Sequence, residues 1–227
     1  QVKRLAWKNA LIARVEAALK EEPISLESVS TRLNNGADIE FRPAQASGTF
    51  LHGKEQHYFA THKGESGYFV YTPLELTDGS VLFVNRGFAP MHSKEAETRS
   101  QGLVTGGVDI VGLARSAPSE KPNSFVPDND LTKNIFYWKS LAQMSTRAFP
   151  SGDRQIVPFF LDAGPEKVAG GLPVGGVTRI SFPNSHLQYA VTWFGLAFAL
   201  FCVGGLFVVG RIRETSKTSS GSTLGND

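Results

Sequence analysis

The chain has 227 residues, 41% of them hydrophobic, which is enough for one main domain with a buried core plus shorter appended segments. Its 23 basic and 21 acidic side chains nearly cancel to a formal net charge of +2, so no strong field of one sign is available to attract nucleic acid. The single cysteine, Cys202, cannot form a disulfide within the chain, and we expect no nucleic-acid partner.

Residues 1–23 predict an amphipathic helix. Leu5, Ile12 and Leu19 recur seven residues apart, and Lys8 and Arg14 add positive charge between them. Such a helix can lie on a membrane surface or pack its apolar side against the rest of the protein. The sequence leaves both arrangements open.

Residues 24–184 predict a domain rich in short β-strands. The clearest pair is Tyr68–Leu76 and Ser80–Phe88, joined through Asp78 and Gly79, a dipeptide that favours tight hairpin turns. Further strands are predicted at Phe41–Phe50, His57–Thr61, Val108–Ala114, Ile156–Asp162 and Thr178–Phe182, and an internal helix at Leu131–Ala148. We expect an α+β fold with an antiparallel, β-rich, barrel-like domain, although the pattern alone does not distinguish a barrel from a sandwich.

Patterns that would indicate catalysis or metal binding are incomplete in this sequence. His52, His57 and His62 repeat every five residues, but neither a regular strand nor a regular helix would turn all three towards one metal ion. The glycine-rich segment 170–176 lacks the lysine of a phosphate-binding loop, and residues 128–130 lack the glycine and glutamate that complete a calcium loop. Nucleophile-elbow and metalloprotease motifs are also absent from the sequence, so we predict that the chain is not an enzyme.

The segment Tyr189–Val209 contains 21 residues without a charge. At about 1.5 Å per residue it can cross the roughly 30 Å hydrocarbon layer of a bilayer. Ser185 and Gln188 have the spacing of a capping box, which indicates a helix that begins near His186. We therefore predict a transmembrane helix at residues 185–210, followed by a disordered tail at residues 211–227.

Two residues are the strongest candidates for a functional site. His186 lies at the predicted membrane boundary, where a neutral imidazole could ligate the iron of an amphipathic cofactor such as haem, or could simply be an interfacial polar residue. Arg86 ends the predicted hairpin, where it could pair with a haem propionate or an acidic partner, or could be a solvated arginine beside a turn.

Three blocks of the sequence resemble the Surfeit-1 family. The first is the hairpin, with matching residues Gly67, Thr72, Pro73, Leu74, Gly79, Asn85, Arg86, Gly87 and Pro90. The second consists of Asn129, Asn134, Tyr137, Trp138, Leu141 and Met144, and the third runs from Asn184 to Ala190 and continues with Thr192, Trp193 and Phe194. Phe88, Ser140 and Ser185 depart from the tryptophan, aspartate and asparagine that are common in the family, and the serine at position 140 argues against an acidic role there.

The resemblance implies an assembly factor of the bacterial type for haem-copper oxidases, specifically one that assists insertion of haem a into subunit I of cytochrome c oxidase. His186 matches the family histidine proposed as a haem contact, so it is the candidate iron ligand. Tyr189, Trp193 and Arg86 are further candidates for cofactor binding. The alternative is a membrane-anchored interaction module that stabilises an oxidase subunit without binding a cofactor.

The resemblance also implies a cellular location. Family members normally have another transmembrane helix before the segment that Gln1–Trp7 resembles, so we expect the sequence to lack that helix. With it, both termini would be cytoplasmic and the domain periplasmic, at the inner (plasma) membrane of a bacterium, or in the intermembrane space for a mitochondrial member. Arg211 and Arg213 after the apolar segment favour the same orientation. The expected partners are subunit I, other oxidase components and the membrane.

Overall fold

The structure is a computed structural model that describes residues 20–177 without a gap, together with Ala13, Ala17 and the helical residues 192–197, 199–201, 203 and 204. Residues 13–177 belong to one compact unit, and the helical residues from 192 onwards belong to a second. Ala13 and Ala17 of the predicted N-terminal helix are helical, whereas residues 21–23 at its end are not. Most of that helix, the predicted strand at Thr178–Phe182, the candidates His186 and Tyr189, and the predicted tail lie outside the described residues.

The first unit is built on a seven-stranded sheet. Its strands are β1 (Ile24–Ser25), β2 (Pro43–Phe50), β3 (Gln56–His62), β4 (Glu65–Leu76), β5 (Val81–Pro90), β6 (Gly107–Ser116) and β7 (Ile156–Ala163). Within residues 20–177, two α-helices accompany the sheet, α1 (Leu26–Asn34) and α2 (Leu141–Ala148). Short 3-10 helices lie at His52–Lys54, Met91–Ser93, Ala96–Gly102 and Ala169–Gly171.

Five of the strands close into a barrel. Strand β2 pairs with β6 on one side and with β4 on the other, which completes the cycle β2–β6–β7–β5–β4. All neighbours in the cycle are antiparallel except β5 and β7, which are parallel. Counted along the chain, this order is the connectivity of the OB-fold, a small Greek-key barrel. The prediction of a mostly β, barrel-like domain is therefore confirmed.

The predicted antiparallel pairing is found for most of the sheet but not for two pairs of strands. Besides β5 and β7, β1 runs parallel to β2, where it flanks the barrel. Strand β7 reaches β5 only after the long connection 117–155, and parallel neighbours need such a crossover, whereas an alternating sequence pattern reveals mainly hairpins between consecutive strands.

The predicted hairpin is confirmed. Strands β4 and β5 pair from Gly67 opposite Pro90 to Glu75 opposite Val81. Gly79 has φ +80°, and Asp78 Oδ1 accepts a hydrogen bond from the Ser80 backbone N–H at 2.9 Å, so the Asp-Gly turn forms for the reason that its residues indicate. The other described strands β2, β3, β6 and β7 coincide with predicted strands within a few residues.

The predicted helix at Leu131–Ala148 is correct only in its second half, where α2 begins at Leu141. The first half is held away from a helical conformation by hydrogen bonds with Asn129 and with strand β3. Asn129 Oδ1 accepts hydrogen bonds from the backbone N–H groups of Tyr137 and Trp138, at 2.7 and 3.1 Å. Phe136 bonds through its backbone to strand β3. Local helix propensity is therefore outweighed by tertiary hydrogen bonds.

Helix α1 was not predicted, although its start follows an ordinary rule. The Ser25 hydroxyl accepts a hydrogen bond from the Ser28 backbone N–H at 3.2 Å and so caps the helix. Only Val29 of its nine residues is fully buried, so the apolar periodicity that reveals longer helices is weak here.

The sheet separates two apolar cores. The barrel interior contains residues such as Leu74, Leu82, Val84, Phe159 and Leu161. The second core, on the outer side of the same strands, contains Tyr71, Phe83, Phe136, Met144 and Phe160. Because side chains alternate along a strand, both faces of β5 and β7 are covered, and Met144 of α2 packs on the outer one.

Candidate functional site

Arg86 lies on β5 and is buried, with its side chain only 4% exposed. Its Nη2 donates a hydrogen bond to the Gly102 carbonyl, and its guanidinium lies 4.8 Å from the centre of the Phe50 ring. Its Nη1 is 3.7 Å from Glu55 Oε1 and 3.5 Å from His52 Nδ1. The arginine is thus not solvated, and it has an acidic partner within its own chain.

Glu55 is the centre of a buried polar cluster that also contains Arg86, Arg99, His52, His57 and Thr72. Arg99 contacts both carboxylate oxygens, with its Nη1 3.4 Å from Oε1 and its Nη2 against Oε2. The Thr72 hydroxyl donates to Oε1 at 3.2 Å. His52 Nδ1 lies 3.6 Å from Oε1, and His57 Nε2 lies 3.9 Å from Oε2. We call this set the Glu55 cluster.

The charges of Glu55 and Arg86 are fixed at neutral pH. Burial alone would raise the pKa of Glu55, but its contacts with His52, His57 and Arg99 outweigh burial and hold that pKa well below its usual range. Burial lowers the pKa of Arg86 to about 10, which still leaves the guanidinium protonated near pH 7. One carboxylate therefore faces two guanidiniums, and neither Glu55 nor Arg86 is suited to exchange protons there.

The two histidines of the cluster are held by hydrogen bonds on their other nitrogens. His52 Nε2 lies 2.7 Å from the Val104 carbonyl, so this nitrogen carries a proton, because a carbonyl only accepts. His57 Nδ1 accepts a hydrogen bond from Asn134 Nδ2 at 2.9 Å. The nitrogen that faces Glu55 is therefore Nδ1 in His52 and Nε2 in His57.

His52 and His57 nevertheless both reach Glu55, although the three histidines do not converge on one point. His52 lies in a 3-10 helix and His57 on β3, so the chain does not keep one regular conformation between them. His62 does lie apart, with its ring 5.3 Å from that of Phe88. Within the described parts of the chain, no group of three or more histidine, cysteine or acidic side chains could hold a metal ion.

The cluster joins four parts of the chain. His52, Glu55 and His57 come from β3 and the connection into it, Thr72 from β4, Arg86 from β5, and Arg99 from the 3-10 helix Ala96–Gly102. Because these charges are buried and paired, the arrangement acts as an electrostatic clamp that fixes the connection between β5 and β6 on the barrel.

The Asn-Arg-Gly block of the hairpin has a structural role at each position. Asn85 Nδ2 donates to Asp162 Oδ1 on β7 at 2.9 Å, while Asn85 Oδ1 accepts from the Gly87 backbone N–H at 3.1 Å. Gly87 has φ +125°, and a Cβ at this position would overlap the Val174 carbonyl. Arg86 contacts Glu55 and the Gly102 carbonyl. The block therefore connects β5 to three different neighbours.

The second sequence block also has a structural role. Asn129 orders the segment before α2, and Asn134, at φ +53°, donates both to His57 and to the Glu55 carbonyl. Ser140 Oγ accepts from the Gln143 backbone N–H at 3.3 Å and caps α2. Aspartate performs the same capping function, so the serine in place of the family aspartate keeps the role of this position.

Of the remaining predicted site residues, only Trp193 is described. It lies in the helical residues 192–197 of the second unit and is 67% exposed. In the described part of the chain, no helix has both the length and the apolar character that a bilayer crossing requires. Because His186 and Tyr189 are not described, the structure leaves the grouping of His186, Tyr189, Trp193 and Arg86 as a prediction.

Sequence reasoning missed Glu55 and Arg99. Both stand in polar stretches that read as solvent-exposed turns, and charged residues are almost never fully buried unless they are paired. Glu55 and Arg99 pair with each other although they are 44 residues apart in sequence, so no local pattern indicates the pair.

Comparison with known proteins identifies the family. The family model described as SURF1 family matches residues 1–198. The chain is 37% identical over 215 residues to Surfeit locus protein 1 of Rattus norvegicus, which covers 88% of this chain and 67% of the rat protein. It is 34% identical over 216 residues to the Homo sapiens protein of the same name, and 32% identical over 218 residues to a SURF1-like protein of Drosophila melanogaster, each covering 88% of this chain and 68% of the relative. The chain therefore belongs to the SURF1 family, the Surfeit-1 family whose sequence blocks it carries.

Proposed function

We propose that the chain is a membrane-anchored assembly factor for haem-copper oxidase, and that it assists insertion of haem a into subunit I of cytochrome c oxidase. Membership of the SURF1 family carries this proposal, because the match over residues 1–198 includes all three sequence blocks from which the role is inferred. Such a role needs no reaction catalysed by the chain itself. We place the main domain in the periplasm of a bacterium, at its inner membrane.

Exposed apolar side chains in the second unit support anchoring in a membrane. Six large apolar residues among the described helical positions are 58–78% exposed, namely Trp193, Phe194, Leu196, Leu200, Phe201 and Val203. Burying a fully exposed side chain of this kind gains about 1.5–3 kcal/mol. So many exposed side chains on a short stretch favour contact with lipid or with helices of a partner.

Within this proposal, His186 is the ligand of the haem iron. Tyr189 and Trp193 follow it by three and seven residues, a spacing that brings side chains to the same face of a helix. We assign Arg86 to holding the connection between β5 and β6 through Glu55, because its guanidinium is enclosed by the protein's own side chains.

The test is an absorption spectrum of the protein purified from a host that makes haem a. We expect a haem spectrum that is strongly reduced by His186→Ala, because in this proposal the His186 imidazole would supply the protein's bond to the iron. His92→Ala is the matched control, since His92 is exposed on the 3-10 helix Met91–Ser93 of the other unit. An equal haem content in both variants would contradict the ligand assignment.

The second candidate is an interaction module that steadies an oxidase subunit without binding a cofactor. The same exposed apolar residues favour it, because helices of a partner could cover them as well as lipid. In that case the purified protein would be colourless while oxidase subunits still co-purify with it. His186→Ala would then leave oxidase assembly unchanged in a strain that lacks the native factor.

A further inference from the structure

A pocket on the outer face of the barrel has the features of a ligand site that is separate from the proposed haem ligand. It has a volume of about 230 Å³, and three aromatic rings and four polar side chains line it. We propose that this pocket binds a small aromatic carboxylate, with its ring against the aromatic wall and its carboxylate on Lys139. The proposal does not rest on a role in oxidase assembly.

The strands place the polar wall on the outside of the barrel. Leu161 faces the interior, so its neighbour Asp162 faces outwards. Asn85 lies directly opposite Asp162 in the parallel pair of β5 and β7, and Arg115 extends from β6 towards the same point. Three neighbouring strands thus present hydrogen-bonding groups at one level of the sheet.

The aromatic wall is formed by Tyr58 of β3 together with Phe69 and Tyr71 of β4. The rings of Tyr58 and Phe69 are nearly parallel, at an angle of 10° with 6.2 Å between their centres. Tyr71 meets Tyr58 edge to face at 6.4 Å. A flat ring packs well against such a surface, whereas a flexible aliphatic chain uses it poorly.

Among the described residues, the charges of the polar wall leave one cation without a counter-ion in contact. Arg115 is already bonded to two carboxylates, to Asp162 Oδ2 at 2.7 Å and to Glu40 Oε1 at 2.6 Å. Within residues 20–177, by contrast, no hydrogen bond or ion pair involves the ammonium of Lys139. Its Nζ lies 5.8 Å from the centre of the Phe160 ring.

The environment of the Lys139 ammonium favours binding of an anion. Burial lowers the pKa of Lys139, the charge of Arg115 lowers it further, and Asp162 and Glu40 oppose this only through longer-range attraction. A half-buried ammonium without a partner costs stability, and a carboxylate in the pocket would remove that cost by pairing with it.

The place of the pocket in the barrel agrees with this chemistry. Strands β4 and β5 are the second and third barrel strands, Tyr58 belongs to the connection between the first and second, and Lys139 to the connection between the fourth and fifth. OB-fold proteins bind their ligands on this face and between these two connections. The analogy concerns position alone, because the ligand class follows from the side chains.

The volume restricts the size of the ligand. Pockets for drug-sized molecules measure roughly 300–1,000 Å³, so a pocket of about 230 Å³ suits a single substituted ring. A ligand that small is expected to bind with a Kd on the order of 1 mM.

The probe for the test is 4-fluorobenzoate, observed by fluorine NMR on the full chain in detergent. We expect concentration-dependent line broadening, whereas 4-fluorobenzamide, which has the same shape without the charge, should bind at least about tenfold more weakly. Lys139→Met should weaken binding of the benzoate by about tenfold or more, and Lys139→Arg should retain most of it. Lys133→Met is the matched control, because Lys133 is an exposed lysine of the same segment that pairs with Asp130 at 3.5 Å.

A melting curve separates the loss of a binding group from the loss of the fold. Lys139→Met should melt at the same temperature as the wild type or higher, because it removes an unpaired, half-buried charge. The proposal is overturned if 4-fluorobenzoate does not bind at 10-fold the expected Kd, if the benzamide binds equally well, or if Lys139→Met leaves binding unchanged. A lower melting temperature for this variant would overturn the assignment of Lys139 as an unpaired cation.

Discussion

Glu55 organises the charges in the interior of the β-domain, because two guanidiniums and two imidazoles converge on its carboxylate. Its side chain is 3% exposed, and those of Arg86 and Arg99 are 4% and 1% exposed. Removing the negative charge from such a cluster leaves two positive charges in the interior without compensation. Single residues of this kind therefore have effects far larger than those of exposed ion pairs.

We expect Glu55→Gln to lower the free energy of unfolding by about 3–5 kcal/mol, the usual cost of breaking a buried ion pair. The amide keeps the size of the side chain, so the loss reports on charge rather than on a cavity. Urea denaturation followed by circular dichroism measures it. Glu95→Gln is the control, since Glu95 is 64% exposed in its pair with Lys94 and should change stability by less than about 0.5 kcal/mol.

The pH dependence of stability gives a second test at the same residue. The pKa of Glu55 is lower in the folded protein than its ordinary value of 4.5, so its stabilising contribution is complete above about pH 4.5 and is lost as the pH falls towards the folded-state value. Between about pH 5 and pH 2 the wild type should therefore lose more stability than Glu55→Gln. Parallel curves for the two proteins would show that Glu55 does not remain charged in the folded state.

Elements of the barrel are fixed by a few contacts at their ends. Helix α2 depends on its serine cap, and strand β5 is joined to the segment after Ala169–Gly171 through two backbone hydrogen bonds between Phe88 and Val174, at 2.9 and 2.8 Å. Ser140 and Phe88 depart from the family pattern, but each is adjacent to a matching residue, Leu141 and Gly87 respectively. These joints between elements therefore lie within the blocks that resemble the family.

For the start of α2, we expect Ser140→Ala to lower the free energy of unfolding by about 1 kcal/mol, because the backbone N–H of Gln143 loses its acceptor. Ser140→Asp should retain most of the stability, since a carboxylate accepts the same hydrogen bond and also favours a helix N-terminus. Thermal unfolding of the two variants measures the difference. A loss in Ser140→Asp as large as that in Ser140→Ala would contradict the capping role.

For the connection of β5 to Val174, we expect Gly87→Ala to cost about 2 kcal/mol or more. The substitution forces an alanine into φ +125°, and its Cβ would overlap the Val174 carbonyl. Gly107→Ala is the control, because a Cβ at Gly107 of β6 meets no other atom within 4 Å and should change stability by less than about 0.5 kcal/mol. Chemical denaturation distinguishes the two, and equal stabilities would argue against a close approach at Gly87.

As a whole, the molecule combines a closed β-barrel unit with a second unit that carries exposed apolar helical residues. A closed barrel has few open edges, so its strands are protected against pairing with other chains. The large exposed apolar side chains are concentrated instead between residues 193 and 203. This distribution of exposed apolar side chains is the observation that supports the proposal of membrane anchoring.

We expect Leu200→Asp to shift the protein from the membrane fraction towards the soluble fraction. Leu200 lies near the middle of the uncharged segment Tyr189–Val209. An aspartate at the centre of a membrane-spanning helix costs about 2.5–3.5 kcal/mol. Carbonate extraction followed by immunoblotting measures the distribution. Phe125→Asp provides the control, because Phe125 is 95% exposed on the connection between β6 and β7. Identical membrane association of the two variants would contradict the anchoring proposal.

The sequence by itself determined the features that depend on neighbouring residues. Alternating apolar residues and the Asp78-Gly79 turn sufficed for the hairpin of β4 and β5, because strand and turn formation there are governed by local conformation. The matching blocks sufficed for the family, and the first two include special backbone positions at Gly87 and Asn134.

Only the tertiary structure decided how distant segments meet. The parallel pairing of β5 with β7, the non-helical conformation before Leu141 and the burial of Arg86 all depend on partners far along the chain. Asn134, for example, bonds to Glu55 from 79 residues away. Contacts of that kind are set by closure of the barrel, which brings together side chains whose own neighbours in sequence indicate exposed turns.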